Sequence, residues 1–187
     1  MSDAAVHTRL SAELNDFVAG LEGEDASIGE VLDAIADRGF GLILLVLALP
    51  AALPLPAPGY ATPFGLMMAL LALQMMRGRT TPWLPERVRR RRVSKSKLAW
   101  TMRNAGVPLR FVEWVIRPRL SGLARNRAFL ALVGLVVLLM SISMSMPIPL
   151  TNTAPSFVIF VLAAGILEED GLVLLGGLLL APLAAGI

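Results

Sequence analysis

Charged residues are absent from two long stretches of this chain, 39–76 and 128–167, and the apolar residues that fill them dictate the architecture. The stretches hold 38 and 40 residues. A helix needs about 20 apolar residues, each adding about 1.5 Å, to cross a hydrocarbon core of about 30 Å, so each stretch can supply two passes. A third apolar stretch, residues 171–187, has 17 residues and is barely sufficient. Both long stretches are interrupted by a Pro-x-Pro sequence, Leu53-Pro54-Leu55-Pro56 in the first and Met146-Pro147-Ile148-Pro149 in the second. Proline lacks an amide donor and clashes with the preceding turn. The pattern therefore predicts a helix over 40–53, an extended run through Pro58-Gly59, and a second helix with Pro63 in its first turn that ends at residue 76. The second stretch repeats that order, with a helix over 128–146, an interruption holding Pro147, Pro149 and Asn152, and a helix over 157–167 that resumes after Pro155. Pro54, Pro56 and Pro63 match Pro147, Pro149 and Pro155 at spacings of 93, 93 and 92, which reads as an internal repeat.

Outside these stretches the pattern changes. Leu10, Leu14, Phe17, Val18 and Leu21 recur at helical spacing, and Ile28, Val31, Leu32 and Ile35 do so after Ser27-x-x-Glu30, a capping-box signature. Two short amphipathic helices follow, and their acidic faces should dock on the basic central segment rather than on anionic lipid. Within 77–127, Thr80-Thr81-Pro82-Trp83-Leu84-Pro85 reads as an interfacial turn. Residues 98–116 read as an interfacial helix interrupted near Gly106 and Pro108. Trp83 in the turn and Trp100 and Trp114 in the helix are the interfacial anchors. Arg103, Arg110 and Glu113 keep this segment out of hydrocarbon, where each charge costs about 2.5 to 3.5 kcal/mol.

The expected fold is an all-α integral membrane protein occupying residues 1–187 as one domain. Its parts are an acidic N-terminal region (1–38), a first hairpin (39–76), a basic connection (77–127), a second hairpin (128–167) and a C-terminal apolar helix (168–187). A mean hydropathy of +0.69 agrees with burial in lipid. The net charge of +3 hides a separation: −7 over residues 1–38, +13 over 77–127 and −3 over 128–187. Fifteen of seventeen basic residues lie in the central connection, which places it in the cytoplasm, because short Lys- and Arg-rich loops are retained there. Anionic lipid headgroups account for Arg89-Arg90-Arg91-Arg92, so membrane lipid is an expected partner and nucleic acid is not. No basic region leads directly into an apolar run at the N-terminus, and a cleavable signal peptide is not expected.

Candidate chemistry is sparse. The chain has no Cys and a single His, His7, which excludes a Cys/His zinc site and a Cys nucleophile. No nucleophile and base pair or phosphate-cradling glycine loop can be assembled, so neither catalysis, nor a cofactor, nor a metal is expected. The proline interruptions have two readings. They are loops between spanning helices, or they are broken helices inside the membrane whose freed carbonyls, with Pro54, Pro56, Gly59, Pro63, Pro147, Pro149, Asn152 and Pro155, line a path for an ion or small solute. Gln74, near a helix end, reads as a cap or as a snorkelling side chain, and Ser141, Ser143 and Ser145 with the neighbouring methionines read as a helix-packing face. Glu168-Glu169-Asp170 follows a helix C-terminus, where negative charge is unfavourable. Central arginines are the expected compensation, and proton coupling through Asp170 is a sharper alternative.

Five segments together resemble the ExoD family over nearly the whole chain. They are Leu53-Pro54-x-Pro56-x-Pro58-Gly59, Gln74-x-x-x-Gly78-Arg79-x-x-Pro82-Trp83-Leu84-Pro85, Glu113-x-x-x-Arg117-Pro118-Arg119, Pro147-x-Pro149-x-x-Asn152-x-x-Pro155 and Glu169-Asp170-Gly171. The Gly-Arg-x-x-Pro-Trp-Leu-Pro and Arg-Pro-Arg segments are the specific ones. The resemblance implies a bacterial inner-membrane protein associated with exopolysaccharide synthesis, and it makes Arg117, Arg119, Glu169 and Asp170 a candidate charge cluster. Glu169 departs from the family pattern, which is often basic at that position. Two functions fit: a transporter or channel for an ion or small solute, and a non-transporting scaffold that binds exopolysaccharide synthesis proteins. Small-residue stripes make a homodimer an additional expectation.

Overall fold

A computed structural model describes residues 16, 20, 25–35, 38–52, 61–96, 118–145 and 152–185. These residues are mostly helical, as expected of an all-α class. In chain order the elements are β1 (Asp25–Ser27), α1 (Ile28–Ile35), α2 (Gly39–Ala52), α3 (Ala61–Met76), α4 (Glu86–Arg89), β2 (Arg92–Ser94), α5 (Ser121–Ala124), α6 (Arg127–Ser145), α7 (Thr153–Leu167) and α8 (Gly171–Ala185). Contacts divide the chain into two compact units, residues 1–36 with 84–115 and residues 37–83 with 116–187. Of the first amphipathic helix only Asp16 and Gly20 are described, both helical, and the interfacial helix over 98–116 lies outside the described residues.

In the first unit the acidic segment pairs with the basic one. β1 and β2 run antiparallel, with Ala26 opposite Val93, a short ribbon that the helical reading does not contain. The capping box forms as expected: Ser27 N–H donates to Glu30 Oε2 at 2.7 Å, and Glu30 N–H donates to Ser27 Oγ at 3.1 Å. Those bonds from the Ser27 amide and hydroxyl region hold the Glu30 carboxyl below the usual carboxylate range. A methyl on Gly29 would lie 2.6 Å from Arg89 Cγ, so only glycine lets the Arg89 stem cross α1 and reach Asp33.

In the second unit the helices are apolar on every side, so amphipathicity alone cannot choose the inward face. Small residues choose it instead. A methyl on Gly41 would lie 2.7 Å from the Leu167 nitrogen and 3.0 Å from the Ala163 carbonyl oxygen, so α2 and α7 touch backbone to backbone. At the other pair, a methyl on Gly134 would lie 3.1 Å from the Ala72 carbonyl oxygen, and one on Gly65 would lie 2.6 Å from Ser145 Oγ. The main partnerships are therefore crosswise, α2 with α7 and α3 with α6, and each pair is antiparallel. α8 packs chiefly on α7, where Gly165 and Gly177 admit Leu174 and Leu162.

Burial follows one pattern in both halves. On α2 and α6, positions 93 apart are buried together: Phe40 with Val133, Gly41 with Gly134, Leu44 with Val137, Leu47 with Met140, Ala48 with Ser141, Ala51 with Met144. On α3 and α7 the matching distance is 91, pairing Gly65 with Ser156, Met68 with Ile159, Leu71 with Leu162, Ala72 with Ala163 and Met75 with Ile166. The outward face is also apolar, with Val46, Leu66, Leu70, Leu139, Phe157, Leu179 and Leu183 all at least half exposed. Among the described residues one helix, α6, is long and apolar enough to cross a membrane. The others are shorter; α2, with 14 residues, spans about 21 Å.

Candidate functional site at the charged end of the bundle

The start of α2, the end of α3, the start of α6 and the end of α7 come together around a cavity of about 370 Å³. Phe40, Met75, Leu130 and Ile166 supply its apolar wall, and Arg79, Arg125, Arg127 and Glu169 its charged rim. The opposite ends of these helices are where the proline-rich interruptions leave and enter.

Local capping builds the charged end. α3 and α7 finish in the same six-residue motif, in which two successive amides turn back onto the last carbonyls. After α3, Gly78 N–H donates to Met75 O at 2.9 Å and Arg79 N–H to Gln74 O at 3.2 Å, with Gly78 at φ +74°. After α7, Glu169 N–H donates to Ile166 O at 3.3 Å and Asp170 N–H to Gly165 O at 2.9 Å, with Glu169 at φ +51°. A left-handed conformation suits glycine and strains glutamate. Arg125 holds the glutamate in place, through Nη2 at 2.7 Å and Nε at 2.9 Å from Glu169 Oε2.

The expected compensation of the acidic cluster by a central arginine is thus present at Glu169, where Arg125 supplies the pair. Arg119 contributes its main-chain carbonyl, which accepts the Gly171 amide at 2.7 Å, and Arg117 lies outside the described residues. Asp170, only 1% exposed, is the N-cap of α8: its Oδ1 accepts the amides of Leu172 at 2.9 Å and Val173 at 3.3 Å. A carboxylate misplaced with respect to α7 is well placed with respect to α8, whose N-terminal partial charge is positive. Sequence reasoning missed this cap, although Asp-Gly before an apolar run signals one. It also missed Asn126, whose Oδ1 accepts the amides of Ala128 and Phe129 at 2.9 and 3.2 Å and caps α6.

Gln74 does not cap its helix, which is closed by backbone amides; its side chain clamps the following loop instead. It accepts the Trp83 amide at 2.6 Å and donates to the Trp83 carbonyl at 3.3 Å, which presents the Trp83 ring 58% exposed. Ser141 is buried against α3 and Ser145 half-buried beside Gly65, while Ser143 faces outward.

At the proline end Pro54, Pro56, Gly59, Pro147 and Pro149 lie outside the described residues, as do Trp100 and Trp114. Pro63 and Pro155 lie in the first turns of α3 and α7, so they open helices rather than line an interruption. For Pro155 this corrects the expected start of its helix at 157. Asn152 precedes α7, and its Oδ1 is buried without a hydrogen-bond partner.

Residues 10–187 match the family described as "Exopolysaccharide synthesis, ExoD". An uncharacterized protein of Synechocystis is 40% identical over 177 residues, covering 94% of this chain and 83% of its own. Protein ExoD of Rhizobium meliloti is 32% identical over 171 residues, covering 90% of this chain and 71% of its own. No solved structure matches.

Proposed function

Because this chain belongs to the ExoD family, we propose that it is a multi-pass protein of the bacterial inner membrane that supports exopolysaccharide synthesis by moving an ion or small solute between two duplicated hairpins. The observation that carries this reading is the common burial register, 93 residues for the first helices and 91 for the second, joined to crosswise packing. Two copies of one hairpin that exchange partners in this way are related by a pseudo-two-fold axis, as in a symmetric dimer. The register also refines the proline alignment, because Pro155 is equivalent to Phe64 and the second interruption is two residues shorter. All four helix ends at the charged end share one cavity, which supports hairpins of the same orientation. The basic character of the central connection supports a cytoplasmic location for that end.

The apolar outward face supports the membrane placement, since contiguous exposed patches of this kind are rare on soluble monomers. For transport, the cavity is a vestibule on the basic side, and the unpartnered Asn152 amide oxygen is a polar group at the other end. Asp170 is occupied as a cap, so the path does not depend on it. The scaffold reading has its own support: Leu44, Met68, Val137, Ile159 and Leu162 fill the middle of the bundle. Purified protein in liposomes separates the two. Transport predicts flux of protons, alkali cations or small solutes that falls in an Asn152→Ala variant. Absence of flux, together with co-purification of exopolysaccharide synthesis proteins, would establish the scaffold. Single cysteines at Gly59 and Asn152 should both react with an impermeant maleimide from outside the cell if the hairpins share one orientation.

A further inference from the structure

We propose that the cavity at the charged end binds the phosphate headgroup of a membrane lipid. Among its rim residues Arg125 is committed to Glu169. Arg79 and Arg127 are exposed, form no ion pair among the described residues, and line the cavity together with Phe40, Met75, Leu130 and Ile166. Two unpaired arginines in one lining with apolar side chains match an anion carried on an apolar tail. The guanidinium fork fits two phosphate oxygens at once, whereas a carboxylate of the solvent has no use for the wall.

Size and position agree with this occupant. A cavity of about 370 Å³ lies at the small end of ligand sites and accommodates a headgroup with the first part of its chain. The remainder of a chain has an apolar surface to follow, because Leu70 and Leu73 on α3 and Leu132 and Leu135 on α6 are exposed. Basic pockets between helix ends on the cytoplasmic side are where anionic headgroups are held in membrane proteins. The inference rests on the membrane placement proposed above and not on transport.

The test uses the full chain in a nonionic detergent, with native mass spectrometry titrating dioctanoyl phosphatidic acid, dioctanoyl phosphatidylcholine and inorganic phosphate. Saturable binding of phosphatidic acid should weaken about tenfold for each of Arg79→Gln and Arg127→Gln, the loss of one charge-assisted contact. Arg87→Gln, in the first unit, should leave it unchanged. Arg79→Lys with Arg127→Lys preserves charge and guards against misfolding; it should retain binding at reduced affinity. Equal weakening by Arg87→Gln would reduce the effect to general charge and overturn the site. Equal binding of phosphatidylcholine would make it an apolar groove, and competition by inorganic phosphate at similar concentration would make it a site for a soluble anion; either overturns the proposal. Alkaline carbonate extraction of native membranes tests the placement separately, because a chain that extracts into the soluble fraction fails that reading whatever it binds.

Discussion

Replacing Gly41 by alanine adds a methyl group 2.7 Å from the Leu167 nitrogen, 2.9 Å from its Cα and 3.0 Å from the Ala163 carbonyl oxygen. All three atoms are backbone, so no side chain can rotate away. Reaching ordinary contact requires α2 and α7 to separate by about 0.7 Å, and a gap of that size forfeits a quarter to a half of each contact energy along the interface. Overpacking of this kind costs about 1 to 3 kcal/mol, against which alanine regains about 0.5 to 1 kcal/mol of helix propensity. The net loss lies between about 0 and 2.5 kcal/mol and centres near about 1 kcal/mol, or about 2 to 4 °C in Tm for a chain of this size. Circular dichroism during thermal unfolding in detergent reads it directly. Gly134→Ala meets the Ala72 carbonyl and two flexible methionine side chains at 3.1 to 3.2 Å and should lose less. Gly176→Ala meets nothing within 4 Å and should gain stability. If Gly41→Ala were as stable as Gly176→Ala, the backbone contact between α2 and α7 would be refuted, and with it the crosswise pairing.

Asp170→Asn should keep wild-type stability and Asp170→Ala should lose about 1 kcal/mol, because asparagine caps a helix as well as aspartate does; unchanged flux in Asp170→Asn liposomes would also exclude proton coupling there. Glu169→Gly should be nearly neutral, since relief of about 1 kcal/mol of left-handed strain offsets the lost Arg125 pair, whereas Glu169→Val should be clearly less stable by thermal unfolding. Glu30 has a lowered pKa in the folded state, so its contribution is present above the unfolded pKa and disappears as pH falls through the folded value. Protection factors against amide exchange in α1, corrected for the intrinsic rate, should therefore fall in acid, and Ser27→Ala, which keeps the backbone amide, should return the Glu30 titration, followed by carboxyl NMR, part of the way toward the ordinary value.

Much of this fold is legible in the sequence because lipid-length apolar stretches and prolines are strong local signals. Pro63 opens its helix, Ser27 and Glu30 make their box, and the boundaries of α2, α3, α6 and α7 fall within a few residues of the hydrophobic pattern. What the pattern cannot give is which helix lies against which. In helices apolar on all sides, inward and outward residues differ little in hydrophobicity, and partners are selected by glycines whose meaning appears only beside the backbone they admit. The charged end was half legible for a related reason. Residues 168–170 are a liability when read from the helix before them, and Asp170 is a cap when read from the helix after. The short β1 and β2 pairing joins segments far apart in the chain, and neither segment has a strand pattern long enough to signal it.

The exchange of partners between hairpins has a consequence for synthesis. Leu167 emerges from the ribosome 126 residues after Gly41, which at about 5 to 20 residues per second means a wait of about 6 to 25 s. From residue 76 onward α2 and α3 are both made, yet the face marked by Gly65 waits for Ser145 and the face marked by Gly41 waits for Leu167. On the membrane placement proposed above, the nascent chain must therefore be sheltered by the insertion machinery or pair provisionally with itself. Truncation between residues 77 and 126 yields a half-molecule in which both interfaces are open, a natural substrate for quality-control proteolysis.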